Sequence, residues 1–177
     1  MISYQDAISA ARSLIGTPYA ELDCINLIKK VIRTAPGGVK GYTTAGTNSL
    51  WKSFAMSRKY KDLTWRQKGL SGARAGMLAF KVQGDDVHHV GIVTERNTVI
   101  HASSVLGCTA ETPLDEGEGW MLLAIHRYID PAAETGTVGR EREEERLYAS
   151  AKITIVDSEN NTFVPVGDFR VLVGSAD

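Results

Sequence analysis

Cys24 is the residue in this sequence best placed to act as a nucleophile. It follows Asp23 and begins a segment whose apolar residues recur every three or four positions. This spacing indicates an amphipathic helix, and aspartate is a favoured N-cap. The partial positive charge at a helix N-terminus lowers the pKa of a thiol and favours the reactive thiolate. We therefore expect Cys24 to be a nucleophile, with an inert buried cysteine as the alternative.

The candidate bases are four histidines: His88, His89, His101 and His126. Because side chains alternate along a strand, His89 falls on the same face as Gly91. A tight turn predicted at residues 96–97 places His101 on the neighbouring strand, diagonal to position 89 or 91. Cys24, His89 and His101 would then be a nucleophile, its base and the group that orients the base.

Composition excludes several other classes of function. The 177 residues carry a net charge of -1, so no overall positive charge attracts nucleic acid. Two cysteines 84 positions apart form neither a disulfide framework nor a metal-binding pair. No stretch approaches the roughly 20 apolar residues of a membrane span, and the first residues lack the features of a signal peptide. We expect a protein made in the cytoplasm, with no cofactor and no membrane span.

The order of predicted elements is typical of an α+β fold, with N-terminal helices packed on a central antiparallel sheet. Helices are predicted from Ser3 to Gly16, from Cys24 to Pro36 and from Asn48 to about residue 57, followed by an irregular connection over 58–74. Strands are predicted at 77–82, 90–95, 98–102, 108–112 and 121–129.

Three domains are predicted: a main domain at 1–131, a charged linker at 132–149 and a small β-rich extension at 150–177. Strands in the extension are predicted at 152–156, 163–166 and 169–173. An extension of this size cannot bury a stable core alone. It would pack on the main domain, pair with a second copy to form a homo-oligomer, or begin a further module.

Four motifs, in this order, resemble those of the NlpC/P60 cysteine peptidases, which have a papain-like fold. They are Gly-Thr-Pro-Tyr at 16–19, Asp-Cys at 23–24, Gly-Met-Leu-Ala-Phe at 76–80, and His-Val-Gly-Ile at 89–92 with a second histidine 12 residues after the first. The resemblance covers residues 4–130. It implies a cysteine hydrolase that cleaves amide bonds in peptidoglycan stem peptides, between D-Glu and a diamino acid.

The resemblance also implies roles for individual residues. Cys24 would be the nucleophile, His89 the general base and His101 the orienting third member, while Tyr19 and Asp23 would bind the amine end of the stem peptide. The backbone N–H of Cys24 would belong to the oxyanion hole. Without a signal peptide, the chain is more similar to phage- and prophage-associated members, acting in a phage tail or after release to the cell wall.

The sequence departs from the family pattern near the cysteine. Ile25 and Asn26 replace Ser-Gly, Met77 replaces the aspartate of Gly-Asp-Leu, and the loop before the cysteine is short. Alternatives are therefore an amidase or acyltransferase on another substrate, and an inactive papain-like module that binds the cell wall or a protein. A zinc site is a further alternative, built from Asp86, His88, His89, His101 and Cys24.

Overall fold

The structure, a computed structural model, describes residues 1–52, 63–133, 148–151, 155–156, 162–163 and 169–172. The chain divides into two units, Met1–Ala133 and Glu134–Asp177. The larger unit contains all the residues predicted to form the site.

Two helices begin at the side-chain caps that the sequence indicates. Helix α1 spans Tyr4–Arg12, and the Ser3 hydroxyl accepts a hydrogen bond from the backbone N–H of Asp6 (3.1 Å). Helix α2 spans Cys24–Thr34, and its N-cap Asp23 accepts from the N–H of Asn26 (2.8 Å). These caps satisfy N–H groups that have no partner within the helix. The second of them fixes Cys24 as the first helical residue.

The third helix differs from its prediction. Helix α3 spans Thr47–Trp51, and its N-cap is Gly46, not Asn48. The Asn48 side chain instead contacts the sheet, donating to Asp86 Oδ1 (2.5 Å) and accepting from the N–H of Val87 (3.0 Å). The Asn48 amide thus joins α3 to the sheet and does not cap the helix. The predicted continuation to residue 57 lies outside the described residues from 53 onward.

No helix in the described ranges has the length and apolar content to cross a membrane.

A six-stranded, antiparallel sheet forms the centre of the larger unit, and its strand order is β2-β7-β3-β4-β5-β6. The strands are β2 (Thr64–Lys68), β3 (Leu78–Gln83), β4 (Asp86–Val93), β5 (Thr98–Ser103), β6 (Cys108–Pro113) and β7 (Trp120–His126). Together with the helices, this sheet confirms the predicted α+β fold.

Strand β2 lies in a region that was predicted to be irregular. Its outward side chains include Trp65, which is 56% exposed, so the segment lacks the apolar pattern of a buried strand. Five residue pairs with β7 hold it in the sheet, from Thr64 opposite His126 to Lys68 opposite Leu122. Pairing with a strand far along the chain therefore determines its conformation.

The connection between β4 and β5 is longer than the predicted two-residue turn. Thr94 N–H donates to the Thr98 carbonyl (2.8 Å), which leaves residues 95–97 as the loop. Asn97 has a φ of 56°. A left-handed residue at the end of a three-residue loop is a common way to close a hairpin, and asparagine tolerates it better than most residues.

The two faces of the sheet carry different cores. Helices α1 and α2 cover one face, where Val90, Ile92 and Ile100 pack against Leu27 and Ile28 of α2. The opposite face has a smaller cluster built from strand and loop residues: Met77, Ala79, Val93, Val99, Leu114, Trp120 and Leu123. Alternation along β4 and β5 places His89 and His101 on the second face.

The predicted strand at 121–129 is two strands, because β7 ends at His126. The short strand β8, Ile129–Asp130, instead pairs in parallel with β1, Ile2–Ser3. Between β7 and β8, the N–H of Arg127 donates to the Leu63 carbonyl (2.8 Å), and here the chain leaves the six-stranded sheet.

In the described residues of the smaller unit, four strands form two antiparallel pairs. Strand β9 (Tyr148–Ala151) pairs with β12 (Phe169–Leu172), and β10 (Ile155–Val156) pairs with β11 (Thr162–Phe163). Strand β9 starts within the segment predicted to be a linker. Most of the predicted linker, residues 134–147, lies outside the described residues.

Candidate active site

His89 and His101 are in direct contact. Nε2 of His89 lies 2.7 Å from Nδ1 of His101, and Nε2 of His101 lies 3.1 Å from Oγ1 of Thr112 on β6. The Ile92–Ile100 pairing places His101 diagonal to His89, as the sequence predicts. If Nε2 of each ring carries its proton, the hydrogen bonds run from His89 through His101 to Thr112. Nδ1 of His89 is then free to accept a proton.

Three neighbouring strands carry the floor of this site. Trp120 on β7 lies opposite Lys81 on β3, which lies opposite His89 on β4. The buried Trp120 ring is 5.6 Å from the His89 ring and 5.1 Å from the His101 ring, between centroids. Sequence reasoning did not assign Lys81 or Thr112 to the site. Period-two alternation would place Lys81 on the face of His89 once the strands were aligned.

Cys24 approaches from the helix side, at a point where β4 and β5 are no longer paired. The ladder between these strands contains only Ile92–Ile100 and Val93–Val99. The backbone N–H of Val90, next to His89, interacts with the Cys24 sulfur instead. In the part of the chain that the structure describes, Cys24 makes no direct hydrogen bond to His89. The structure thus brings Cys24 to the backbone beside His89 without a direct contact between the two side chains.

The state of the thiol differs from the prediction of a lowered pKa. Burial raises the pKa of Cys24 above its usual value, and the nearby Asp23 carboxylate raises it further. The N–H groups of Val90, Ile25 and Cys24 itself act in the opposite direction but do not outweigh burial. Because Cys24 is only 7% exposed, desolvation outweighs the helix N-terminus, and the thiol is protonated at neutral pH.

Tyr19 and Asp23 both lie near Cys24. The segment before α2 runs along the edge of β6, where the N–H of Tyr19 donates to the Gly107 carbonyl (2.8 Å). Burial raises the pKa of the Tyr19 phenol, and the charges of the Cys24 sulfur, once ionised, and of the Asp23 carboxylate raise it further. This places the phenol in the electrostatic environment of the sulfur. One oxygen of Asp23 is engaged as the cap of α2.

The remaining candidates are outside this cluster. His88 is exposed. His126 is buried on β7, where its Nε2 lies 2.9 Å from the hydroxyl of Tyr42 and its Nδ1 accepts from the N–H of Tyr128 (3.2 Å). Cys108 is partly buried at the start of β6. Within the described ranges, no three His, Cys, Asp or Glu side chains are grouped so that they could hold a metal ion.

Burial keeps three histidines uncharged in the folded protein. It lowers the pKa of His89 to about 3, of His101 to about 4 and of His126 to about 3, and neighbouring positive charges add to the effect at His89 and His101. The unfolded chain binds protons on these residues near pH 6.5, whereas the folded chain does not. The free energy of unfolding must therefore fall as the pH drops below about 6.5.

We expect each of the three histidines to lower the free energy of unfolding by up to about 1.4 kcal/mol per pH unit below pH 6.5. Urea unfolding of the whole chain at pH 7, 6 and 5 measures this slope. Equal stability at pH 7 and pH 5 would contradict the buried, uncharged histidines.

Gly91 allows β4 and β5 to approach each other beside the histidines. A Cβ at this position would meet the Val99 side chain and would lie 2.8 Å from the Ile100 carbonyl and 2.9 Å from Cβ of His101. We expect Gly91→Ala to destabilise the fold by about 1–3 kcal/mol and to displace His101 from His89. Denaturant unfolding checks this. Gly41→Ala, where a Cβ has open space, should change stability by less than about 0.5 kcal/mol.

Comparison with solved structures identifies the fold. The peptidoglycan hydrolase RipB from Mycobacterium tuberculosis matches with a TM-score of 0.52 and 17% identity, over 72% of this chain and 65% of that one. An NlpC/P60 family protein from Bacillus cereus matches with a TM-score of 0.51 and 17% identity, over 72% of this chain and 40% of that one. The P60 domain of an antigen from M. avium subspecies paratuberculosis matches with a TM-score of 0.51 and 15% identity, over 71% of this chain and 94% of that one.

No protein-family profile matches the sequence, and no curated protein does. The assignment therefore depends on structural similarity at low sequence identity, and what it assigns is the fold. The matches cover about as much of this chain as the larger unit contains. The chain has the fold of the NlpC/P60 domains.

Proposed function

We propose that this protein is a cysteine hydrolase that cleaves amide bonds in peptidoglycan stem peptides, with Cys24, His89 and His101 as its catalytic residues. The observation that carries the proposal is the 2.7 Å contact between Nε2 of His89 and Nδ1 of His101. This contact uses the far nitrogen of His89 and leaves Nδ1 available on the other side of the ring. A base oriented in this way by a third group is the arrangement that nucleophilic catalysis requires.

The protonation states determine how the first step proceeds. Both the Cys24 thiol and the His89 imidazole are uncharged at neutral pH, because burial disfavours the charged form of each. The thiol proton would move to Nδ1 of His89 as the sulfur attacks the carbonyl carbon of the substrate. The resulting imidazolium would protonate the leaving amine as the amide C–N bond breaks. Water, deprotonated by His89, would then hydrolyse the thioester and release the acid.

The position of Cys24 supports stabilisation of the developing oxyanion. As the first residue of α2, Cys24 has a backbone N–H with no partner in the preceding turn of the helix. Such N–H groups, aimed from a helix N-terminus, stabilise negative charge on a carbonyl oxygen. The Tyr19 phenol and the Asp23 carboxylate lie near the same sulfur and would bind the amine end of the stem peptide.

We further propose that the bond cleaved is the one between D-Glu and a diamino acid. The ordered motifs around Cys24 and His89 support this specificity, and one neighbour in fold, RipB, is a peptidoglycan hydrolase. A free carboxylate oxygen of Asp23 would accept from the amine end of the stem peptide, since its other oxygen caps α2. Action in a phage tail, or on the wall after release, stays a prediction, as does a homo-oligomer formed through residues 150–177.

A second candidate function is binding without catalysis. It is favoured by the burial of Cys24, which is 7% exposed and has a raised pKa. A thiol that never ionises would leave a papain-like module able to hold a wall peptide or a protein partner but unable to cleave it. Reactivity of the sulfur therefore separates the two functions.

Mass spectrometry of muropeptides after incubation with the purified protein tests the proposal. A hydrolase that cleaves between D-Glu and the diamino acid would release fragments with new ends at that bond. Hydrolysis by the unmodified chain and its loss in Cys24→Ala test the nucleophile independently, with Cys108→Ala as the internal control. Intact muropeptides would favour the binding module.

A further inference from the structure

Lys81 is a cation beside the histidine pair that the reaction scheme does not use. It lies opposite His89 on the neighbouring strand, with Trp120 on its other side. Its Nζ is 4.6 Å from the centroid of the Trp120 ring, which in turn contacts both the His89 and the His101 rings. Nζ also donates a hydrogen bond to the carbonyl of Glu118. The ammonium group is therefore fixed over the floor of the candidate site.

We propose that Lys81 is a positioning residue whose charge, added to the effect of burial, disfavours protonation of the His89–His101 pair and so extends the pH range in which His89 is available as a base. Its charge lies on the same face of the sheet as both imidazoles. A like charge in a partly desolvated position disfavours a second positive charge nearby. The proposal deepens the proposed function and rests on it for its effect on activity, but the effect on the histidines is measurable without a substrate.

The charges around the pair support this role. Burial lowers the pKa of both histidines, and the Lys81 charge adds to the shift at each of them. His88, on the same strand, contributes at His89 alone. From α2, the titratable group that faces β4 is Cys24, which is uncharged at neutral pH. At His89 the charge of a protonated His101 has a larger effect than that of Lys81, and Lys81 is the cation that acts on both rings.

An acidic loop limits the strength of this effect. Burial lowers the pKa of Lys81, and the negative charges of Glu118 and Asp115 nearby offset part of that shift. The ammonium group is held by the Glu118 carbonyl, and part of its charge is balanced by these two carboxylates. A lysine used only to anchor this loop would make the same hydrogen bond to Glu118, so the test must separate charge from anchoring.

NMR titration of the imidazole resonances, from pH 8 down to the lowest pH at which the chain stays folded, provides this test. In Lys81→Met, which keeps the apolar stem and removes the charge, we expect the midpoints of His89 and His101 to rise by about one pH unit. Lys81→Gln keeps a donor and should give the same rise, whereas Lys81→Arg keeps the charge and should restore the low midpoints. Lys30→Met is the matched control, since it changes the net charge equally at an exposed position on α2.

Two outcomes would overturn the proposal: unchanged midpoints in Lys81→Met and Lys81→Gln, or an equal rise in Lys81→Arg. If the chain hydrolyses muropeptides, the acid limb of kcat/KM should move upward with the midpoints in Lys81→Met. Shifted midpoints in a chain without hydrolytic activity would support Lys81 and count against the proposed function. Hydrolysis with unshifted midpoints would support the proposed function and count against the role of Lys81.

Discussion

Cys24→Ala is expected to lower kcat/KM for muropeptide hydrolysis by at least about 1,000-fold and to leave the fold intact. The large loss follows because the variant has no atom that can form the thioester, so only binding and the oxyanion donors remain. The small structural effect follows because alanine keeps the first position of α2 and removes a single sulfur. We expect the free energy of unfolding to change by less than about 2 kcal/mol.

The matched control is Cys108→Ala, which removes the other thiol of the chain from the edge strand β6. It should retain the activity of the unmodified protein within about twofold, since Cys108 is not part of the histidine cluster. Product formation by time-resolved mass spectrometry and thermal unfolding measure the two effects separately. Hydrolysis by Cys24→Ala at the unmodified rate would rule out the thioester mechanism.

His89→Ala is expected to reduce kcat/KM by about 100-fold to 10,000-fold, and His101→Asn by only about tenfold. Loss of His89 removes the group that accepts the thiol proton. An asparagine at position 101 still offers an oxygen to Nε2–H of His89, so the base keeps its tautomer and orientation. A larger loss of kcat/KM in His89→Ala than in His101→Asn therefore distinguishes the base from the group that orients it.

His88→Ala controls for the loss of an imidazole from β4, because His88 is exposed. Its kcat/KM should equal that of the unmodified chain. The pH profile adds a check, since His101→Asn also removes a neighbour that contributes to the low pKa of His89. Equal losses in His89→Ala and His101→Asn would contradict the roles assigned here.

The parts of the site encoded by local sequence could be predicted. Asp23 before an apolar repeat determines where α2 begins, so Cys24 could be placed at its first turn without a structure. The short hairpin around residues 94–98 determines the register of β4 and β5, and His101 accordingly lies diagonal to His89. In both cases the interacting residues are close in sequence, although the loop at 95–97, one residue longer than predicted, sets the exact register of the two strands.

Features that depend on distant contacts could not be predicted. Strand β2 has exposed, polar side chains, and only its pairing with β7 makes it a strand. Trp120 and Lys81 could not be assigned to the site, because nothing local indicates that β7 lies beside β3. The pKa of Cys24 was predicted with the wrong sign, because the degree of burial is set by packing from several elements. A helix N-terminus alone does not determine it.

The place of β7 in the sheet has a consequence for how the chain folds as it leaves the ribosome. Strands β3 to β6 are consecutive, so this meander can form as soon as residue 113 has emerged. Until residues 120–126 follow, β3 is an open edge rich in apolar side chains, of the kind that pairs with other chains. The histidine pair can therefore form before its tryptophan floor arrives. Aggregation during synthesis should be most pronounced in that interval.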